Sequence, residues 1–202
     1  PLSTLNQTTG ILDKARHSTY VCTGVANTIS VFKEVNPEVH YILEGYDPLF
    51  HKPHEVDQDL DLTFIGSLHS ERTKWLATID HPVTHVSNAY AGEHAVVVSR
   101  TKINLNLATM GGASDRVYKV LGARGFLLTS DWEGRPELFS DGEDLVVYTD
   151  AADLNQKIAY YLKNPEKRDK IRLQGYQKVQ GMSKDAWAQK VLDIYHEKVT
   201  NS

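Results

Sequence analysis

Through the middle of the chain, apolar runs of four to eight residues alternate with stretches of helical periodicity, the pattern of βα units around a parallel sheet. Strands are predicted over 62–65, 103–107, 125–129 and 145–148. Between them the spacing predicts helices over 70–79, with Trp75 and Leu76 on one side, over 91–99, and over 114–123, where Val117, Val120 and Leu121 share a face behind Ser114 as N-cap. After 148 the pattern becomes purely helical. Leu154, Ile158, Tyr161 and Leu162 mark a helix over 151–163. Asn164, Pro165 and Glu166 read as the N-cap, first position and acidic first turn of the next helix, which Gly181 can close. Trp187, Val191, Ile194 and Tyr195 stripe a last helix over 183–199. Residues 1–50 hold a helix, a strand at 20–22, a second helix and a strand at 39–43. From 44 to 60 the chain is rich in Pro, Asp and His without periodicity, which reads as a linker. The expected fold class is α/β, a Rossmann-like parallel sheet with helices on both faces, ending in a run of C-terminal helices.

Composition narrows the function. At 202 residues and 41% hydrophobic, the chain can bury a substantial core. A formal net charge of -4 lacks the basic excess of proteins that grip a nucleic-acid backbone with a whole domain, although a local basic cleft is compatible with it. Cys22 is the single cysteine, so neither an internal disulfide nor a multi-cysteine zinc site can form, in keeping with a cytoplasmic setting. No apolar run approaches the roughly 20 residues that cross a bilayer, and residues 1–4 lack the start of a signal peptide. A soluble protein with no membrane partner is expected. His51 and His54 lie in a Pro-containing linker without further ligands in pattern, so no metal site is expected.

Three loops carry candidate chemistry. The segment 64–72 runs from a strand through Gly66 and Ser67 into a helix bearing Arg72, a geometry that offers backbone N–H groups and a positive dipole end to an anion. An ordinary βα turn with a surface arginine is the alternative. Segment 109–114 again comes after a strand, with Gly111 and Gly112 allowing close approach and Ser114 opening a helix that carries Arg116 and Lys119. Two cations at the head of a helix are poorly placed against its dipole, which a bound phosphate would account for; a solvated face is the alternative. Both loops lie at the carboxyl ends of strands, where open parallel sheets bind ligands. The third loop, 130–138, brings Glu133, Arg135 and Glu137 to the same edge. Its carboxylates can accept hydrogen bonds from sugar hydroxyls, or Glu137 merely caps a short helix near Pro136.

At these loops the sequence resembles the group 1 glycosyltransferases of the GT-B fold and, within them, the spore maturation protein CgeB family. Gly45, Tyr46, Asp47, Pro48, Leu49 and Phe50 with Pro53 are similar to the family's interdomain stretch. Phe64, Ile65, Gly66 and Ser67 with Glu71 and Arg72 resemble its donor-phosphate loop. Residues 103–106, 116–118 and 125–129 resemble its core block, and Glu137, Leu138 and Phe139 with Gly142 resemble the segment after that block. The resemblance, spread over about 20–198, implies two Rossmann-like domains, with the donor bound mainly to the second and chemistry in the cleft without an obligatory metal. Residues 1–50 then correspond to the tail of the acceptor-side domain, 51–60 to the linker, 61–182 to the nucleotide-sugar-binding domain and 183–202 to a C-terminal helix.

The resemblance implies transfer of a sugar from a nucleoside diphosphate sugar, a co-substrate with no further cofactor. The donor site it implies comprises Gly66, Ser67, Gly111, Gly112, Ser114, Lys119 and Glu137, with Arg72 and Arg116 offsetting charge on the leaving diphosphate. Retention of configuration is implied by the resemblance alone. The acceptor stays open between a glycan, a protein, a small molecule and a modified DNA base. Two departures stand out. Many group 1 enzymes place two glutamates eight positions apart, the second on the nucleotide ribose, and the corresponding positions here are Gly111 and Lys119. A lysine cannot accept a hydrogen bond from a hydroxyl but can meet a phosphate. In addition, only about 50 residues precede the linker, so either the chain is a fragment of a longer enzyme, or the first domain is severely reduced, or a partner subunit supplies it; an N-terminal domain or a partner subunit is the expected requirement. An inactive nucleotide-binding or assembly module and a sugar-nucleotide epimerase half are the competing readings; the absence of Gly-x-Gly-x-x-Gly after any strand argues against a dehydrogenase.

Overall fold

The computed structural model describes residues 9–107 and 114–200, the side chains of the last three excepted. The first unit is small: helix α1 (Ile11–Arg16), strand β1 (Val21–Thr23), a 3₁₀ turn leading into α2 (Ile29–Lys33), and β2 (Val39–Tyr41). Strands β1 and β2 pair in parallel, Cys22 opposite His40. Asn36 is buried and ties this unit together, its side-chain amide donating to the carbonyls of Ala15 at 2.9 Å and Ser18 at 2.7 Å.

The second unit is built on β3 (Leu60–Ile65), α3 (Ser70–Leu76), β4 (Thr84–Val86), α4 (Ala91–Arg100), β5 (Thr101–Asn106), α5 (Asp115–Gly122), β6 (Leu127–Ser130) and β7 (Val146–Tyr148). Its five strands are all parallel in the order β4-β3-β5-β6-β7. Strand β3 has β4 on one side and β5 on the other, so chain direction through the sheet reverses there, the position where open α/β sheets leave a crevice for ligands.

Apolar side chains leave this sheet on both faces, as expected of parallel strands covered by helices. Ile65, Leu127, Leu145 and Val147 join one core with Ala95, Val98, Val117, Val120 and Leu121 of α4 and α5. Their neighbours in sequence, Phe64, Phe126, Leu128, Val146 and Tyr148, point the other way. They pack with Leu154, Ile158 and Ile171 of α6 (Ala151–Lys163) and α7 (Pro165–Val179).

Helix boundaries reflect local chemistry. The Asp150 side chain accepts from the Asp153 N–H at 2.9 Å and starts α6. Its far end is closed by the buried Arg168, whose Nη1 donates to the carbonyls of Tyr161 and Leu162. Pro165 occupies the first turn of α7 as predicted, but the Asn164 side chain makes no capping bond there and instead donates to the Tyr160 carbonyl at 2.7 Å. The chain then turns at Gly181 into α8 (Lys184–Thr200). Just before it, Met182 and Ser183 cross the segment that leaves β2: Tyr46 forms a parallel bridge with Ser183, its N–H donating to the Met182 carbonyl at 3.1 Å.

Three expectations change. Strand β4 lies over 84–86, outside every predicted strand, because its Thr-His-Val is a half-exposed edge without an apolar run. Helix α3 ends at Leu76 and not at 79. No helix forms near Pro136; residues 132–139 are turns closed by Arg135, which donates to both Asp131 carboxylate oxygens at 2.6 and 3.3 Å and to the Phe139 carbonyl at 2.9 Å. Among the described residues no helix is long and apolar enough to cross a membrane.

Candidate functional site

A cavity of about 240 Å³ opens at the carboxyl ends of β3 and β4, beside the head of α5. Its walls include Gly66 and Ser67 after β3, Tyr90 before α4, and Asp115, Arg116 and Lys119 on α5.

Arg116 organises the floor. Its Nε donates to the Ile65 carbonyl at 2.8 Å and its Nη1 to Asn106 Oδ1 at 2.7 Å. Asn106 is fully enclosed at the end of β5 and is itself fixed by donating to Thr129 Oγ1 at 3.0 Å. The guanidinium also lies over the Phe64 ring, 5.0 Å from its centroid. Above it sits Gly66 with φ +140, and any β-carbon built there would meet Arg116 Nη2 at 2.6 Å. Glycine is therefore required for the turn to lie this close to the cation. Burial, and next the charge of Arg72, pull Arg116 down to about 10, so it stays cationic at neutral pH.

Arg72 supports the same turn from α3. Its Nη1 donates to the Ser67 carbonyl at 3.0 Å and its Nε to the Leu107 carbonyl at 3.3 Å, with the Phe64 ring 5.5 Å away. His85 of β4 also stacks on Phe64 at 6.0 Å and pairs through Nε2 with the Gly66 carbonyl at 2.8 Å. Two guanidinium groups and one imidazole thus fix the backbone of the β3–α3 turn.

On α5, Ser114 is the N-cap, its Oγ accepting from the Arg116 N–H at 3.3 Å. Lys119 is held by Asp115 Oδ2 at 2.5 Å. Burial alone would raise the Asp115 carboxyl, but the hydrogen bond from Lys119 and the charges of Lys119, Arg116 and Lys184 outweigh it and leave it below its ordinary value. The two cations at the head of this helix therefore already have partners in the fold: carbonyl and amide oxygens for Arg116, a carboxylate for Lys119.

Behind the cavity His94 is 6% exposed and meets the ring of His51 edge-on at 5.6 Å. Burial, then the charges of His51, Lys119 and Arg116, push His94 down to about 3, so it is neutral near pH 7 and presents a neutral polar ring to the wall.

Gly66, Ser67, Arg116 and Lys119 converge on one cavity, with Ser114 and Arg72 bracing its edges. Gly111 and Gly112 lie outside the described residues. Glu137 is absent from the cavity wall; it is exposed in the turns after β6, close enough to Tyr41 of β2 that its charge, after burial, raises the Tyr41 hydroxyl. Sequence reasoning passed over Asn106, His85, His94, Asp115 and Tyr90. Asn106 alone left a signal, a polar residue inside an otherwise apolar strand. Among the described residues no group of three His, Cys, Asp or Glu side chains is placed to hold a metal ion.

A doubly wound parallel sheet with a glycine turn braced by arginines at its switch point defines the class, an α/β domain of the Rossmann-like kind. Residues 48–193 match the family model described as glycosyl transferase-like, and the chain belongs to that family. No curated protein matches it in sequence. Among solved structures it is similar to a glycosyltransferase from Rickettsia africae, with TM-score 0.72 at 13% identity over 96% of this chain and 68% of that one. Anabaena HepE in complex with UDP-glucose gives 0.76 at 11% over 92% and 66%. Sucrose-phosphate synthase from Thermosynechococcus elongatus gives 0.73 at 13% over 95% and 61%. The fold matches that of a GT-B glycosyltransferase half, and the chain spans about two thirds of the length of these structures.

Proposed function

We propose that this chain is the donor-binding portion of a glycosyltransferase, with the cavity over Arg116 holding the diphosphate of a nucleoside diphosphate sugar. The observation that carries this reading is the arginine-backed Gly66–Ser67 turn at the switch point: the Gly66 N–H is held on the Val86 carbonyl at 2.9 Å, and the half-buried Arg116 pressed against the turn offers positive charge with little reorganisation. Arg72 and Arg116 counter the charge that grows on the leaving diphosphate, Ser114 presents the amino end of α5, and Lys119 reaches a phosphate if it exchanges Asp115 for the ligand. Gly111 and Gly112 belong to the same loop. Glu137, beyond the cavity towards β2, receives hydroxyls of the transferred sugar. Retention of configuration is part of the proposal, the general base and the acceptor surface belonging to the acceptor-side domain. A uridine donor is the first candidate, supported by the UDP-glucose carried by Anabaena HepE.

Calorimetry of the chain against UDP, GDP and ADP and their sugar conjugates tests this. Saturable binding of one diphosphate is expected, weakened about tenfold in Arg72→Gln, a change that removes one charge-assisted contact. Absence of binding at millimolar ligand by a demonstrably folded chain would overturn the reading. Binding without turnover by the protein together with its acceptor-side domain would favour the inactive module, for which the Lys119–Asp115 pair is the supporting observation.

A further inference from the structure

On the rim opposite the donor cavity, at the amino ends of the strands, a second recess of about 180 Å³ lies between segment 53–58, the end of α4, the turn after α5, and α7. We propose that this recess binds a small phosphate group through the guanidinium groups of Arg124 and Arg172.

Both cations are drawn inward while their carboxylate neighbours face water. The Arg124 side chain is 34% exposed against 93% for Glu55, and Arg172 27% against 58% for Asp169. Pairs as open as these hold their partners weakly. Each occupies one nitrogen only, Arg124 Nη2 at 3.3 Å and Arg172 Nε at 2.7 Å, of a group that carries five N–H donors. The segment that carries Glu55 is fixed beside them, the His54 backbone N–H donating to Ser99 Oγ at 3.1 Å.

The backbone adds a second observation. Arg124 stands at φ +57, the left-handed position after α5 where glycine is the favoured residue. The glycine in this turn is one place later, at 125. An arginine at 124 makes the turn less comfortable and puts a guanidinium on the recess. Two guanidinium groups arriving from separate elements suit a tetrahedral oxyanion better than a planar carboxylate, which one fork of an arginine already satisfies. Glu55 and Asp169 on the rim disfavour a polyanion such as a nucleic-acid backbone. The site is independent of what the donor cavity holds.

The test is a ¹H–¹⁵N NMR titration of the full chain with inorganic phosphate and, separately, glucose 6-phosphate, chloride being adjusted to constant ionic strength. Saturable shifts are expected at the amides of Ser99, Gly125 and Arg172, resolved from any at Gly66 and Ser67. Stronger binding of glucose 6-phosphate identifies a phosphorylated metabolite as the occupant; equal binding identifies free phosphate. Arg124→Gly separates function from folding. Without ligand its Tm is expected at or up to about 3 °C above wild type, since backbone relief offsets the added freedom of the unfolded chain. Its phosphate affinity at these amides is expected to fall about tenfold, as is that of Arg172→Gln. No saturable shift at Ser99 and Arg172, or an affinity unchanged in both variants, would overturn the proposal.

Discussion

His94 illustrates how one residue couples the candidate site to solution conditions. Unfolded, it takes up a proton near its ordinary value of 6.5; folded, only near about 3. Between those values the unfolded chain binds more protons, so stability is complete above pH 6.5 and declines as pH falls through the window. By pH 5 the loss from this one residue approaches about 2 kcal/mol. His51, lowered mainly by burial, acts in the same direction. Urea melts at pH 7.5 and pH 5 are expected to show this drop in the wild type and a shallower one in His94→Gln, which keeps a polar group and removes the titration. Equal drops in both proteins would mean that His94 is not the group responsible. Such a residue could not be read from the sequence, where His94 is one histidine of nine. Its properties come first from burial, and then from a histidine of a distant segment and the cations of α5. Gly66, Ser67 and Arg116 could be singled out from the sequence because they stand where an apolar run gives way to a helix, although an ordinary βα turn carries the same pattern.

At the scale of elements, the pattern of apolar positions located every strand of the second unit except β4, and every helix after 148. Runs buried on both faces stand out because they have no polar alternation to interrupt them. Strand β4 pairs along one edge only and needs no such run. The pattern is equally silent on how closely elements approach, which two helical glycines make testable. Gly175 in α7 faces the β7 entry, where an added β-carbon would lie 2.1 Å from the Asp144 carbonyl and 2.8 Å from Leu121 Cδ2. Alanine favours a helix interior by about 1 kcal/mol over glycine, but forcing a methyl against backbone costs about 1–3 kcal/mol or more. The clash wins, because a carbonyl cannot rotate away as a side-chain tip can. Gly92 in α4 has nothing within 4 Å of the same methyl. Thermal melts are therefore expected to rank Gly92→Ala at or above wild type and Gly175→Ala below it by several degrees. The reverse order would show that α7 does not pack as closely as described.

For the whole molecule, the question is how the small β1–β2 unit is joined to the five-stranded one, since an isolated two-stranded sheet is marginally stable. Gly134 approaches the first unit at Ala26 and at the Tyr41 hydroxyl, a β-carbon there lying 3.5 Å and 3.7 Å from them. The stronger junction is the crossing at Tyr46. This ring is buried against α5, where a β-carbon on Gly122 would meet it at 2.4 Å, and its backbone is held on both sides, the Lys184 N–H donating to its carbonyl at 2.8 Å. Gly45 makes the crossing possible with φ +70, where a β-carbon would lie 2.5 Å from the Met182 carbonyl and 2.8 Å from Ser183. In Gly45→Ala the left-handed backbone costs about 1–2 kcal/mol, and the contact with a crossing chain adds about 1–3 kcal/mol. That sum should fall on the junction and not on the sheet. Trypsin is expected to cut after Arg16 and Lys33 faster than in wild type, while donor binding at the Gly66 turn, carried wholly by the second unit, changes by less than about threefold, the spread common for a site that keeps its contacts. If binding collapsed together with the first unit, the crossing would be shaping the donor cavity itself, through Tyr46 and the helix that carries Arg116.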